Sequence, residues 1–415
     1  MILPEKHRVA AVLGHVEESW DKVTRVHEPN PERGTLPLPF RYTVPSVADA
    51  FQEMYHWDTY FTNLGLLRSG RVELAKSNVD NYLWMVDEFG YAPNGNLTRL
   101  LHRSQPPYLT QMVRDIHEET GDLPWLRGAL RTLLAEYDFW MERRSTPTGL
   151  NRHFHDDDEE GARRFCEEIY TGRLHRPIPD HPFAQKLAGD HCYAEAETGW
   201  DFNPRFDRRC ADFLPVDLNS LLYQAERNLA HFHRELDLDE AHFLDHAAES
   251  RKVLVSDFLW DDEEGFFYDF DYTRGERSRV RAGSALHPLY SGVATPEQAR
   301  RLVANISKLE AGHGILTCEK TESGIVYQWD WPNGWPPVQG YSMMGLLNAG
   351  FPDDAERIAQ KYIRLCVENF ERTGKLWEKC NVVDGTTRVN DEHPMPPMVG
   401  WTAGVFLLAC EIAGA

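Results

Sequence analysis

Residues 328–337 read Gln-Trp-Asp-Trp-Pro-Asn-Gly-Trp-Pro-Pro, a segment that sets three tryptophans among turn-forming residues. Pro332 and the Asn333-Gly334 pair interrupt regular structure, so the indole rings belong to a loop. Three rings this close together in a loop are hard to explain by packing alone. Because flat apolar faces with a polar edge suit sugar rings, we interpret the loop as one wall of a carbohydrate pocket.

Around this loop the chain has the periodicity of amphipathic helices. Apolar residues recur at three- and four-residue spacing in several stripes, such as Val72–Ala75–Val79–Tyr82–Val86, Leu126–Leu130–Leu133–Tyr137–Trp140 and Ala355–Ile358–Tyr362–Leu365. Strand signals are scarce, and a short hairpin is expected only in Glu264–Tyr272. An all-helical pattern allows a bundle, a solenoid or a closed ring of helix pairs. A solenoid is disfavoured because the sequence shows no short-period repeat.

The chain reads as one unit. No low-complexity linker divides its 415 residues. We therefore predict a single domain over residues 1–415, in which residues 1–45 form an N-terminal helix and a Pro-rich arm. In a ring of paired helices, alternate loops gather at one end, where a rigid scaffold positions polar and aromatic side chains.

Charge and cysteine usage narrow the class of partner. The chain has 44 Lys and Arg against 65 Asp and Glu, a net charge of −21. Such a surface repels nucleic acid and anionic lipid, and no apolar run of about 18 residues is present, so we expect neither nucleic-acid nor membrane partners. The seven cysteines are scattered without a CxxC pair. This pattern, with no secretory signal at the N-terminus, predicts a cytoplasmic protein without a disulfide framework or zinc site.

Two loops in the first quarter of the chain carry candidate sugar contacts. Trp57 and Asp58 stand side by side in the segment Phe51–Tyr60. Asp58 either caps the following helix or accepts hydroxyl groups beside an aromatic platform. In the next loop, Asn94 lies in a turn, and Arg103 and Gln105 precede a Pro-Pro pair. Their side chains offer several hydrogen-bond donors to hydroxyl groups.

Two further loops carry candidate catalytic carboxyls. Gly199-Trp200-Asp201 combines a turn, an indole and an acid. A carboxyl under an aromatic lid loses solvation and keeps its proton more firmly, as a general acid requires, although Asp201 could also merely cap a helix. Near the C-terminus, Glu378 follows Trp377, and Glu392 precedes the segment Gly400–Gly404. Glu378 is either a second catalytic carboxyl or a capping or ion-paired residue.

Together these loops resemble the trehalase family of glycoside hydrolases. Residues 328–337 match its QWDxPNGWxP motif, and its FxExYxWDxYF, PNG…RSQPP, ESGWDxxxR and GWTxGV segments are matched in the same order between residues 51 and 405. The resemblance implies an all-α fold, an (α/α)6 barrel with the catalytic loops at one mouth. It also implies inverting hydrolysis of a small α-glucoside without metal or cofactor.

The resemblance also assigns residues. Asp201 looks like the general acid and Glu378 like the general base. The positions implied as substrate contacts are Phe51, Tyr55, Trp57, Asp58, Asn94, Arg103, Gln105, Arg176, Trp200, Arg205, Gln328, Trp329, Asp330, Glu392 and Trp401. Lys379, next to Glu378, would favour the ionised base if its side chain points the same way.

The sequence departs from the family pattern at three places. Ala50 stands where a sugar-binding Arg is expected, Ile178 replaces a Glu, and residues 382–391 replace a Gly-rich lid. The segment 203–207 is similar to a neighbouring family of the same clan, whose members hydrolyse glucosyl- or mannosylglycerate. These departures leave the substrate open between a trehalose-like glucoside and a glycoside of glycerate or another small aglycone.

Two hypotheses of other classes remain. A helical-ring sugar isomerase or epimerase would need paired histidines, and the sequence offers none in a convincing loop motif. A non-catalytic sugar-binding protein would have no need of both Asp201 and Glu378. The sequence does not determine the oligomeric state. The only partner it predicts is a small glycoside.

Overall fold

The structure is a computed structural model of the chain that describes residues 3–26, 32–48, 50–322, 324–391 and 394–415. Within these residues the chain forms fourteen α-helices: α1 Lys6–Val23, α2 His56–Arg68, α3 Val72–Phe89, α4 Leu109–Thr120, α5 Leu123–Arg143, α6 Glu159–Gly172, α7 Pro182–Glu197, α8 Val216–Glu235, α9 Ala241–Leu259, α10 His287–Ser291, α11 Pro296–Ala304, α12 Pro336–Asn348, α13 Pro352–Thr373 and α14 Gly400–Ala413. Short 3₁₀ turns occupy Thr98–Leu100, Cys210–Asp212, Gly283–Leu286 and Ile306–Lys308.

Six of these helices form an inner ring. Helices α2, α4, α8, α10, α12 and α14 contact one another in turn, and α14 returns to α2. Helices α1, α3, α5, α9 and α13 pack outside them, and α11 takes the corresponding outer place in chain order. This is the (α/α)6 barrel that the family resemblance implied. Helices α6 and α7 pair with each other as an additional hairpin.

The ring closes where the first and last inner helices meet. Helix α14 is buried on almost every face, as expected of an element surrounded by other helices. At Gly404 an added Cβ would lie 1.8 Å from the carbonyl oxygen of Phe61 in α2. Glycine therefore permits the close backbone approach that joins α14 to α2.

The outer helices show the predicted one-sided pattern. In α13, Ala355, Ile358, Tyr362 and Leu365 are buried, and acidic residues occupy its first turn. Gly374, with φ of +67°, ends this helix in the left-handed conformation. A continuous hydrophobic core extends from Val9 in α1 to Cys410 in α14. No helix within the described residues is both long and apolar enough to cross a membrane.

The strands are pairs of residues that fix loops. They are β1 Thr24–Arg25, β2 Tyr42–Thr43, β3 Phe213–Leu214, β4 Trp260–Asp261, β5 Phe266–Phe267, β6 Phe270–Asp271, β7 Glu276–Arg277, β8 Glu310–Ala311, β9 Gly314–Ile315, β10 Asn333–Gly334 and β11 Cys380–Asn381. Pairing is antiparallel in β1–β2, β4–β5, β8–β9, β10–β11 and the β3–β6–β7 sheet. The hairpin expected in Glu264–Tyr272 begins earlier, because β4 supplies its first strand and Glu264 lies in the turn.

Candidate active site

The loops that precede the inner helices meet around one cavity. It has a volume of about 130 Å³ and is lined by Phe51, Tyr55, Trp57, Asp58, Asn94, Gln105, Gly199, Asp201, Gln328, Trp329, Trp335, Glu378, Met398 and Trp401. Most of the proposed site residues therefore come together, from loops that are far apart in sequence. Three lining residues were not among the proposed contacts: Gly199, Trp335 and Met398. Trp335 nevertheless belongs to the tryptophan loop at residues 328–337.

Stacked indoles form the wall of this cavity. The Trp329 and Trp335 rings are parallel, with centroids 3.8 Å apart, and Trp200 stacks on Trp329 at 5.2 Å. A buried cation lies over each end of this stack: Arg205 is 4.6 Å from the Trp200 ring, and Lys379 is 4.5 Å from the Trp335 ring. Cations over indole faces are favourable when both are shielded from water, so the stack is held at both ends.

Glu378 lies at the end of the stack that Lys379 covers. The pairing of β10 with β11 places the tryptophan loop beside the loop that carries Glu378. Lys379 Nζ donates to Glu378 Oε2 at 2.6 Å and to Asp391 Oδ1 at 3.0 Å. The side chains of Glu378 and Lys379 are 4% and 0% exposed. The side chain of Lys379 thus points at the Glu378 carboxylate and fixes its position by a charge-assisted hydrogen bond.

Asp201 is held in a different way. Its side chain is 33% exposed, and Arg173 Nη1 donates to its Oδ2 at 2.6 Å. Arg173 Nη2 and Gln328 Nε2 both donate to the backbone carbonyl of Asp201. Trp200, the expected aromatic lid, is buried and stacks on Trp329, whereas the Asp201 side chain is partly exposed. Arg173, at the end of helix α6, was missed because no loop motif surrounds it.

Asp58 is a third carboxyl in the cavity. It does not cap α2, whose N-cap position belongs to Tyr55. Burial, and then the charges of Glu378 and Asp201, raise the pKa of Asp58 to about 8. Asp58 therefore carries a proton over much of the neutral range and can both donate and accept hydrogen bonds to hydroxyl groups.

Gly199 sets the position of the acid loop. It has φ of +74°, and an added Cβ would lie 2.7 Å from Cε2 of Trp57. Any side chain there would push the loop of Asp201 away from the aromatic wall.

Arg205 does not contact the cavity, and we correct its assignment. Its guanidinium donates four hydrogen bonds to the carboxylates of Asp217 and Asp269 and is fully buried. These contacts leave no room for a sugar, so Arg205 fixes the loop beneath Trp200. Its position between two carboxylates cannot be read from a linear motif, because Asp217 and Asp269 lie outside that motif.

Four other proposed contacts lie beside or beyond the cavity. Trp200 is covered by its stacking partners. Asp330 is buried, accepts from the amide of Trp331, and has its pKa raised to about 6 by desolvation. Arg103 is buried against the rings of Phe165 and Tyr193. Arg176 lines a neighbouring cavity. Glu392 lies outside the described residues.

A buried carboxylate ties the sugar-contact loop to the acid loop. Glu197 ends α7 and accepts from the amide of Ser104, the amide of Phe154, and the Arg144 guanidinium. Although burial opposes ionisation, Arg144 and His153 hold its pKa well below the usual range. This residue was missed as a site element, and its place four residues before Asp201 was the available signal.

The residues outside this site include seven free cysteine thiols, none of them in the cavity. Among the described residues, no three His, Cys, Asp or Glu side chains are grouped as metal ligands.

Comparison with known proteins agrees with this geometry. The family model described as Trehalase matches residues 2–414. The chain belongs to the trehalase family. Its structure is similar to neutral trehalase Nth1 from Saccharomyces cerevisiae, with a TM-score of 0.78 and 26% identity over 93% of this chain and 76% of the yeast chain.

Other members of the same fold are more distant. The GH63 mannosylglycerate hydrolase from Thermus thermophilus, solved with glucose, has a TM-score of 0.64 and 18% identity over 94% of this chain and 98% of its own. The rhamnosidase from Klebsiella oxytoca has a TM-score of 0.56 and 13% identity over 88% of this chain and 59% of its own. The family match supports a glycoside hydrolase of the trehalase type, and these more distant neighbours share its fold.

Proposed function

We propose that this trehalase-family chain hydrolyses a small α-glycoside with inversion, using Asp201 as general acid and Glu378 as general base. The observation that carries the proposal is that both carboxyls line one aromatic-walled cavity but come from different loops with different partners. One carboxyl can then act on the leaving oxygen while the other acts on water.

The acid step breaks the bond between the anomeric carbon and the glycosidic oxygen. Asp201 gives its proton to that oxygen as the bond breaks, and the leaving group departs as a neutral alcohol. Asp201 is the more exposed of the two carboxyls, at 33% against 4% for Glu378, and its partner Arg173 lines a neighbouring cavity. A group in that position can reach the leaving oxygen and recover its proton from solvent after each turnover.

The base step forms the new bond. Glu378 accepts a proton from water, and the water oxygen attacks the anomeric carbon from the face opposite the leaving group. Lys379 holds this carboxylate by donating to its Oε2, and Trp401 Nε1 holds the Glu378 backbone by donating to its carbonyl at 3.1 Å. The product sugar has the β configuration when the substrate is an α-glucoside.

The sugar ring that is cleaved lies against the indole wall. Trp57 and Trp329 supply apolar faces, and the protonated Asp58 with Asn94 and Gln105 supplies hydrogen-bond partners for hydroxyl groups. None of the described lining residues is a histidine, so nothing in this cavity favours the isomerase alternative with its His pair.

Proton NMR of a fresh reaction with an α-glucoside tests the mechanism. Inversion releases β-glucose first, before mutarotation. Early α-glucose would mean retention, and the role of Glu378 as a water-activating base would then fail. The wild-type chain alone is sufficient, because the readout is the anomer and not the rate.

The substrate within this class is tested by a panel. Trehalose is the family's expectation, whereas Ala50 removes a guanidinium that the family pattern supplies to sugar. Ala50 is exposed beside Phe51, which lines the cavity. We expect trehalose to have a lower kcat/KM than another small α-glycoside. If trehalose is the best substrate of a broad panel, the loss of this Arg has been compensated elsewhere.

A further inference from the structure

The segment 382–391, where the sequence departs from the family pattern, follows directly on the loop that carries Glu378. The segment turns back on itself, because the amide of Asn381 donates to the carbonyl of Thr386 and its side-chain Nδ2 donates to the carbonyl of Arg388. Strand β11, which ends at Asn381, is paired with β10 of the tryptophan loop. The far end of the segment therefore returns toward the place where it began.

Asn390 fastens this far end to the tryptophan loop. Its amide donates to Asn333 Oδ1 at 3.1 Å, and Asn333 Nδ2 donates back to its carbonyl at 2.7 Å. The side chain of Asn390 donates to the carbonyl of Trp331 at 2.8 Å. Asn333 itself is buried. These hydrogen bonds thus fix the backbone immediately before Asp391.

Asp391 shares a buried ammonium with Glu378. Lys379 Nζ donates to Asp391 Oδ1 at 3.0 Å and to Glu378 Oε2 at 2.6 Å. The Lys379 side chain is 0% exposed, and that of Asp391 is 19% exposed. Because an ammonium has three donors and no acceptor, a buried one needs acceptors in fixed places. Asp391 supplies one of them from the neighbouring cavity that it lines together with Arg176.

The direction of Lys379 decides which oxygen of Glu378 is available to water. Lys379 occupies Oε2, whereas no described residue forms a hydrogen bond with Oε1. Because Glu378 lines the catalytic cavity, Oε1 is the oxygen that can take a proton from water. A lysine ends in a flexible stem with rotatable donors. Without a second acceptor to hold it, the ammonium can turn between both oxygens of Glu378 and compete with water for them.

We propose that Asp391 is a positioning residue for the general base: it holds Lys379 on Oε2 and so keeps Oε1 of Glu378 free for the attacking water. The proposal rests on the role of Glu378 in the proposed function. It gives the segment 382–391 a part in catalysis that acts through the ion pair of Asp391 with Lys379 and needs no contact with the sugar.

Two substrates with different leaving groups test this role. Trehalose needs a proton on its leaving oxygen, whereas α-glucosyl fluoride releases fluoride, which departs with little help from an acid. A defect on the base side therefore persists with the fluoride. We expect Asp391→Asn to lower kcat about tenfold with both substrates, the scale of one charge-assisted hydrogen bond, and to leave KM nearly unchanged. Asp201→Asn should lose much less rate with the fluoride than with trehalose.

Two further variants separate the charge of Asp391 from a general disturbance of its segment. Asp384→Asn is the matched control, because Asp384 lies in the same segment and pairs with Arg388. It should keep the wild-type kcat. Asp391→Glu retains a carboxylate for Lys379 and should recover most of the lost kcat. The proposal is overturned by an unchanged kcat in Asp391→Asn, by an equal loss in Asp384→Asn, by a loss confined to KM, or by a loss that Asp391→Glu does not reduce.

The same assay distinguishes failure of this proposal from failure of the proposed function. If Glu378→Gln keeps a near-normal rate, or if folded wild type releases glucose from neither substrate, the proposed function fails. If Glu378→Gln loses its activity while Asp391→Asn keeps it, Glu378 remains the base and only the role of Asp391 is lost.

Discussion

The two carboxyls proposed as acid and base line one cavity, but their partners and their exposure differ. Glu378 is 4% exposed, and its partner Lys379 is 0% exposed, paired with Asp391 and covered by Trp335. Asp201 is 33% exposed, and its partner Arg173 is 24% exposed and lines a second cavity of about 550 Å³. The proposed base is therefore enclosed together with its partner, whereas the proposed acid and its partner are partly open to solvent. Both groups change protonation state in every cycle, because the acid gives up a proton and the base takes one.

The largest expected effect comes from removing either carboxyl. Asp201→Asn and Glu378→Gln should each lower kcat by at least roughly 10²-fold, the scale of one acid–base contribution. Substrate binding should survive in both, because the aromatic wall is unchanged. Single-turnover rates and ligand affinity measure this. A folded variant with a near-normal rate would remove that residue from the mechanism.

Lys379→Met tests how the proposed base, Glu378, is held. The variant leaves the buried carboxylate of Glu378 and the partly exposed carboxylate of Asp391 without their shared cation, so we expect destabilisation by about 3–5 kcal/mol and a lower melting temperature. Lys375→Met is the matched control, because Lys375 is exposed and its ammonium lies 5.8 Å from the Trp377 ring. Equal melting temperatures for the two variants would mean that the ion pair of Lys379 with Glu378 does not stabilise the fold.

Arg173→Gln tests the partner of the proposed acid. Loss of this guanidinium removes its hydrogen bonds to the carboxylate and the backbone carbonyl of Asp201, so kcat/KM for a neutral glycoside should fall by about tenfold. Arg163→Gln, another arginine on α6, should leave kcat/KM unchanged. Equal kcat/KM for the two variants would mean that Arg173 does not position Asp201.

Much of this arrangement was predictable because it rests on local signals. Apolar stripes mark the outer helices, and glycines, prolines and tryptophans mark the loops that carry the cavity-lining residues Trp57, Trp329 and Glu378. The closed ring, by contrast, was implied only by the family resemblance. The direction of Lys379 was left open, because adjacent residues in a loop have no fixed relation until the β10–β11 pairing sets it.

The contacts between distant segments could not be predicted from the sequence. Arg205 belongs to the acid motif, but Asp217 and Asp269, which hold it, are 12 and 64 residues away. Arg173 lies in a stretch without motif residues, and only the packing of the α6–α7 hairpin brings it to Asp201. Ion pairs between residues that are far apart in sequence depend on tertiary structure and produce no periodic pattern in the sequence.

The smallest expected effect concerns Asp58, the third carboxyl in the cavity, whose protonation depends on the charges of both Glu378 and Asp201. Its pKa is raised from the ordinary 3.8 to about 8 by burial and by the charges of Glu378 and Asp201. A carboxyl with a raised pKa contributes stability that is complete below about pH 4 and is lost as the pH rises through 8. Asp58→Asn removes this loss. Its melting temperature relative to wild type should therefore rise between pH 5 and pH 8, by about 1 °C for each 1 kcal/mol. The exposed Asp138→Asn should show no such trend. A difference that stays flat or falls with pH would mean that Asp58 is ionised in the folded protein and that the base and acid sides do not act on it together.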